Sequence, residues 1–144
     1  MSERILYQHM GIGRLRLARE GQWASGGTHF QPPTDVYETD DLVVVVVEVA
    51  GLLEGEYEVT LSEQDRVLTV VGRRQSPEPL AGKVTYYRLE IPFGTFLARV
   101  ELPGAVTKAE EAEAVYADGF LVITLQKPKP RQVPVDTVDS EDSA

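Results

Sequence analysis

The most informative stretch of this chain is Ala114-Val-Tyr-Ala-Asp-Gly-Phe-Leu121, which runs directly into Val122-Ile-Thr-Leu125. Asp-Gly between two strand-like runs is a strong hairpin signal, because both residues tolerate the positive φ angles of a tight turn. Eight residues later, the polar tail contains an isolated Val133-Pro-Val135. Its two valines lie at i and i+2, so an extended backbone presents both on one side. These features predict a β-hairpin followed by a short apolar docking motif.

Strand-like segments precede the hairpin through most of the chain. Val43–Val47 is a run of five valines, which favours a strand with at least one buried face. The predicted strands are Asp35–Glu38, Leu42–Val49, Glu56–Leu61, Val67–Val71, Thr95–Leu102, Glu113–Ala117 and Phe120–Leu125. Short strands at this spacing predict an all-β fold, an antiparallel immunoglobulin-like β-sandwich. Lys108–Ala112 is suited to a single helical turn.

The composition argues against several kinds of site. The chain has no cysteine, so disulfides, thiol nucleophiles and thiolate metal sites are ruled out. His9 and His29 lie twenty positions apart, which is poor material for a metal site or a general base. The net charge is −9, and residues 32–126 carry 7 Lys/Arg against 17 Asp/Glu. This acidic body disfavours nucleic-acid binding, and we expect neither a metal nor a cofactor.

The sequence also predicts the cellular compartment of the protein. No apolar run approaches the roughly 18–20 residues that a membrane-spanning helix needs. The start, Met-Ser-Glu-Arg, lacks the long apolar segment of a secretory signal. We therefore expect a cytoplasmic protein without a membrane span.

Three segments differ in character along the chain. Residues 1–31 mix apolar side chains with arginine and glycine, which predicts a flexible N-terminal arm with a helical turn or two near its start. Residues 32–127 hold the predicted sandwich. Residues 128–144 are rich in proline and then acidic, so we expect a disordered C-terminal extension with Val133-Pro-Val135 as its docking motif.

Taken together, the hairpin and the tail motif resemble those of the small heat-shock protein (α-crystallin) family. Its signature Ala-x-x-x-Asn-Gly-x-Leu is matched by Ala114, Asp118, Gly119 and Leu121, with Asp in place of Asn. Its tail motif, Ile/Val-x-Ile/Val, is matched by Val133, Pro134 and Val135. Tyr87–Gly104 is similar to the family's arginine-bearing strand and its approach. The resemblance covers about residues 32–135 and implies an α-crystallin domain.

In the family, a long excursion between two strands pairs with the first strand of a second subunit. Here the excursion is Gly72–Phe93, and the resemblance implies that Val84–Arg88 of one chain pairs with Asp35–Glu38 of its partner. The residues implied at this strand-exchange dimer interface are Asp35, Val36, Tyr37, Glu38, Val84, Thr85, Tyr86, Tyr87, Arg88 and Arg99. Arg99 is either an interface cation paired with a carboxylate or a solvent-facing side chain. Tyr86 and Tyr87 are either interface anchors or good strand formers.

The resemblance implies an ATP-independent holdase that binds unfolding client proteins and suppresses their aggregation under stress. Such a protein needs exposed apolar surface and no catalytic group, so we expect no enzyme activity. The client-binding candidates are the groove between open edge strands and an apolar set in the arm: Ile5, Leu6, Ile12, Leu15, Leu17 and Trp23. The tail motif is expected to dock in that groove by β-augmentation. The alternative is a p23-like interaction sandwich without chaperone activity.

Two departures from the family pattern bear on assembly. The tail motif has valine at both ends where isoleucine is usual. Each missing methylene removes about 0.8 kcal/mol of burial, so two weaken docking by about 1.5 kcal/mol, or roughly tenfold in affinity. The N-terminal arm is also short. We therefore expect a homodimer with at most weak higher assembly.

Overall fold

The computed structural model describes residues 4–6, 9–10, 29–80, 82–107 and 109–137, the first two ranges by backbone alone. Within these ranges the chain forms nine strands and one short 3₁₀ helix. The strands are β1 (Arg4–Leu6), β2 (His9–Met10), β3 (Thr34–Glu38), β4 (Leu42–Glu48), β5 (Tyr57–Ser62), β6 (Val67–Arg74), β7 (Gly94–Glu101), β8 (Glu113–Ala117) and β9 (Phe120–Gln126). The 3₁₀ helix, Ala109–Glu111, confirms the expected turn within Lys108–Ala112.

The strands form two sheets that enclose one core. The four-stranded sheet has the order β1-β5-β6-β7, and the five-stranded sheet has the order β2-β8-β9-β4-β3. Neighbouring strands are antiparallel except for β2 and β8, which are parallel. The predicted all-β sandwich is therefore confirmed.

Every second side chain along the strands points inward, and these side chains fill the space between the sheets. In β4, Val43, Val45 and Val47 are fully buried, and β9 contributes its own alternate residues from the adjacent strand. Tyr57 and Phe96 are the largest fully buried side chains, and both come from the four-stranded sheet. The run of valines thus supplies the centre of the core, as its β-branched composition predicts.

The predicted hairpin joins β8 to β9 through Asp118 and Gly119. Both residues have positive φ, 53° and 84°, the left-handed region that Asp and Gly tolerate better than other residues. Ala114 and Leu121 on either side are buried. The Gly119 carbonyl accepts a hydrogen bond from the Val49 N–H at 2.9 Å, which ties the turn to the end of β4.

The start of the chain differs from the expectation. Arg4–Leu6 and His9–Met10 are strands, so the predicted helical turn is wrong for these residues. β1 pairs with β5 and β2 pairs with β8. Strand formation here depends on two exposed sheet edges that lie far away in the sequence, which a local pattern of apolar residues does not report.

Candidate dimer edge and binding surfaces

β3 is an edge strand of the five-stranded sheet. One side pairs with β4, and no described residue pairs with the other side. Asp35, Val36, Tyr37 and Glu38 are all exposed on it. A strand of this kind presents a row of unpaired N–H and C=O groups, which is a template for a further strand.

The excursion between β6 and β7 exposes a run of large apolar side chains. Residues 82–93 form no strand within the single chain, so the expected strand Val84–Arg88 is not formed here. The exposed members are Leu80, Val84, Tyr86, Tyr87, Leu89, Ile91 and Phe93. Tyr87 is 97% exposed and Leu89 is 77% exposed. So many exposed large apolar side chains in one segment are typical of a segment that contacts a partner.

Arg74, the last residue of β6, holds the base of this excursion. Its Nε donates to the Pro92 carbonyl at 3.2 Å, and its Nη1 donates to the Ala50 carbonyl at 3.3 Å. The guanidinium carbon also lies 4.9 Å from the centre of the Phe30 ring and 5.4 Å from that of Phe93, both within cation–π range. Arg74 therefore fixes the point where the excursion rejoins the sandwich.

Sequence reasoning did not identify Arg74. Its partners lie 18, 24 and more than 40 positions away, and no spacing rule links them. The one local signal is its position, immediately before a long excursion.

Arg99 lies in the middle of β7 and faces outward, exposed. It forms no ion pair with any described carboxylate. Its side chain borders a groove of about 290 Å³ between the start of β3 and β7, lined by Gln31, Pro32, Thr34, Leu97, Ala98, Arg99 and Val100. Within one chain Arg99 therefore faces solvent, at a position next to the β3 edge.

The tail motif is expected to dock in a groove between open edge strands, and without β1 and β2 two of the open edges would be β5 and β8. In this structure β1 pairs along β5 and β2 pairs along β8, so residues near the N-terminus occupy both edges. Val133 and Val135 are 72% and 84% exposed and lie outside any strand. Tail docking in this groove would require β1 and β2 to leave it.

The root of the tail is attached to the end of β3. The Lys127 Nζ lies 3.0 Å from Glu38 Oε2 and donates to the Thr39 carbonyl at 2.6 Å. The Lys127 N–H donates to the Asp41 carbonyl at 2.8 Å. The tail therefore leaves the sandwich beside the candidate dimer strand.

The remaining site expectations concern the arm and metal binding. Ile5 and Leu6 lie in β1, where only the backbone is described; Ile12, Leu15, Leu17 and Trp23 lie outside the described residues. Across the described ranges, no three carboxylate or imidazole side chains are grouped as a metal site would require. The same ranges contain no helix long and apolar enough to cross a membrane.

Comparison with known proteins agrees with this geometry. The sequence profile described as the Hsp20/alpha crystallin family matches residues 35–139. A 17.9 kDa class II heat shock protein of Helianthus annuus is 33% identical over 103 residues, covering 69% of this chain and 62% of the relative. A 17.3 kDa class II heat shock protein of Solanum peruvianum is 34% identical over 103 residues, covering 69% of this chain and 64% of the relative. The match thus spans less than two thirds of either relative.

Solved structures show the same fold. HspA from Xanthomonas axonopodis superposes with a TM-score of 0.58 at 25% identity, covering 69% of this chain and 96% of that chain. A small heat-shock protein from Xylella fastidiosa gives a TM-score of 0.58 at 24% identity, covering 75% and 98%. The sandwich with its long excursion is an α-crystallin domain, and this chain belongs to the Hsp20/alpha crystallin family. The resemblance found in the sequence is confirmed.

Proposed function

We propose that this protein is an ATP-independent chaperone of the cytoplasm that holds unfolding proteins and suppresses their aggregation. Family membership supports a chaperone role. The observation that carries the proposal is the large apolar surface left exposed outside both the core and the segment Val84–Arg88, at Leu53, Leu80, Leu89 and Ile91. A holdase acts by offering such surface to non-native chains, and binding alone is sufficient. The function therefore requires no catalytic residue and no cofactor.

The proposed working unit is a homodimer formed by strand exchange. The excursion of one chain, through Val84–Arg88, adds to the free edge of β3 at Asp35–Glu38 of its partner. Pairing would satisfy the backbone groups of both segments and cover Tyr86 and Tyr87, which the single chain leaves exposed. Arg99 borders the groove beside this edge, where a carboxylate of the partner would supply the ion-pair partner that Arg99 does not find among the described residues of one chain.

Higher assembly is proposed to be weak. Residues 1–31 act as the arm and residues 128–144 as the extension, with Val133-Pro-Val135 docking between β5 and β8 of another subunit. That docking competes with β1 and β2 for the same edges. The arm's Ile5, Leu6, Ile12, Leu15, Leu17 and Trp23, together with the groove, are the proposed client-binding surfaces.

The chaperone proposal predicts that equimolar protein suppresses heat-induced light scattering of an aggregation-prone enzyme in the absence of ATP. Addition of ATP should leave the suppression unchanged, because no nucleotide is used. An equal mass of an unrelated acidic protein serves as the control for nonspecific effects. If scattering is unchanged even with excess protein, the holdase function is wrong.

A further inference from the structure

The outer face of the five-stranded sheet has an apolar central row although no described strand covers it. β4 alternates along its length, so Val43, Val45 and Val47 point into the core while Val44 and Val46 point outward. A strand that faces water on one side normally alternates with polar residues, and a continuous apolar run is typical of a strand covered on both faces. The five valines of β4 therefore indicate that this outer face is covered.

Neighbouring strands extend the apolar surface across the sheet. Val46 is paired with Val122 of β9, which is paired with Val115 of β8, so the three valines form one row on the outer face. Phe120 lies on the same face beside them. Val115 is 43% exposed and Phe120 is 44% exposed.

The opposite outer face, on the four-stranded sheet, has a different character. Its central row pairs Thr60, Thr69 and Arg99 across β5, β6 and β7. The rows on either side of it each include a glutamate, Glu58 or Glu101, as the flanking rows of the five-stranded sheet include Glu48 or Glu113. The two outer faces therefore differ in their central rows, which are all valine across β4, β9 and β8 and polar across β5, β6 and β7.

Carboxylates surround the apolar row. Asp35 stands at its β3 end, Glu48 lies beside Phe120, and Glu113 lies on β8 two residues before Val115. All three are exposed. A partner that is both apolar and basic would cover the valines and place its cations near the three carboxylates.

The segment with this chemistry lies in the chain itself. Residues 11–28 contain Ile12, Leu15, Leu17 and Trp23, together with three arginines against one glutamate. The segment connects the two edge strands of this same sheet, β2 and β3. Met10 and Thr34 lie at opposite ends of one row of paired residues across the sheet. The residues between them are Tyr116, Leu121 and Val47.

The distances allow the segment to cover the face. Four strand spacings separate Met10 from Thr34, about 19 Å in all. Eighteen residues extend up to about 60 Å, so the segment has ample length to cross the sheet and still reach Phe30, which bridges to β7. We propose that residues 11–28 dock on the outer face of the five-stranded sheet of their own chain, with apolar side chains on Val46, Val115 and Val122 and arginines near Asp35, Glu48 and Glu113.

Trp23 is the only tryptophan in the chain, so its fluorescence reports this docking in the intact protein. Val115→Lys places a cation in the apolar row, where it repels the arginines of the segment. Its partly exposed position lets the lysine reach solvent without disturbing the core. The expected result is a red shift of the Trp23 emission toward that of the urea-unfolded protein, with increased quenching by acrylamide. Thr69→Lys, in the outer face of the other sheet, is the matched control and should leave emission and quenching unchanged.

Glu113→Lys gives a second variant at an exposed position, and it should also increase quenching, by a smaller amount. The proposal would be overturned if Val115→Lys and Thr69→Lys shifted the Trp23 emission equally. It would also be overturned if neither Val115→Lys nor Glu113→Lys changed the emission or the quenching. A red shift of the wild-type emission on dilution would overturn it too, because the face would then be covered by a second copy. Loss of client holding with unchanged Trp23 emission would assign the face to clients instead. Both proposals use Ile12, Leu15, Leu17 and Trp23, with a client displacing the docked segment. Docking is measured without a client and holding with a heated client, so the two can fail separately.

Discussion

At one position of this fold, Gly72, the backbone lies too close to its neighbours for any larger residue to fit without a shift. Gly72 lies in the middle of β6 opposite Tyr57. A Cβ at this position would stand 2.5 Å from the Glu56 carbonyl oxygen and 2.6 Å from Cζ of Phe96. The Glu56 carbonyl cannot easily retreat, because it accepts a hydrogen bond from the Arg73 N–H at 2.9 Å. Phe96 is fully buried within the hydrophobic core.

Gly72→Ala is therefore expected to destabilise the protein by about 1–3 kcal/mol, the range for overpacking a tight interior. Urea unfolding at a fixed protein concentration measures the loss, since a dimer's apparent stability depends on concentration. Gly82→Ala is the matched control: no atom lies within 4 Å of its Cβ position and its φ is not positive. Equal unfolding midpoints for the two variants would show that the Phe96 ring and the backbone shift freely.

Elements differ in how far the sequence determines them. The hairpin at Asp118-Gly119 and the valine run of β4 were predictable, because turn chemistry and period-two burial are local signals. The contacts of Arg74 with Ala50, Pro92 and Phe30 were not, since they arise only when separate loops meet. The predicted strand at Val84–Arg88 is a further case. Its alternation is visible in the sequence, but strand structure needs an edge to pair with, and within the described part of one chain this segment pairs with none.

The excursion provides a direct test of the proposed dimer at the scale of elements. Deleting Ser76–Glu90 leaves Gln75 and residues 91–93 between Arg74 and Gly94, which already face each other in the sheet. This is a loop of ordinary hairpin length, and Arg74 keeps its bond to Pro92. We expect the variant to fold and to be a monomer by light scattering, because it has lost the exchanged strand.

Leu80→Ser is the control for that deletion. Leu80 lies within the excursion, and its side chain is fully exposed, so the substitution should leave the dimer intact. A deletion variant that remains dimeric across the concentration range would show that the subunits meet through another surface.

At the scale of the whole molecule, the two ends of the chain meet different surfaces of one sandwich. The N-terminal strands occupy the edges of β5 and β8, while the tail begins beside β3, where Lys127 contacts Glu38. In the proposed assembly, growth beyond the dimer depends on whether a tail from another subunit displaces β1 and β2. Two valines in place of isoleucines leave that tail about tenfold weaker as a competitor. The expected balance favours the closed groove and a small oligomer.

The competition for the groove can be tested by removing each competitor in turn. Deleting residues 131–144 alone should change the mass in solution little or not at all, because β1 and β2 already pair along the edges of β5 and β8. Deleting residues 2–10 should free both edges and produce species larger than the dimer as the concentration rises. Adding Val133→Ser and Val135→Ser to that N-terminal deletion should restore the dimer, since both exposed valines are needed to fill the groove. Two results would contradict this competition. The N-terminal deletion variant could remain a dimer at every concentration, or its larger species could persist when both serines are present. In either case the tail does not compete with β1 and β2 for the edges of β5 and β8.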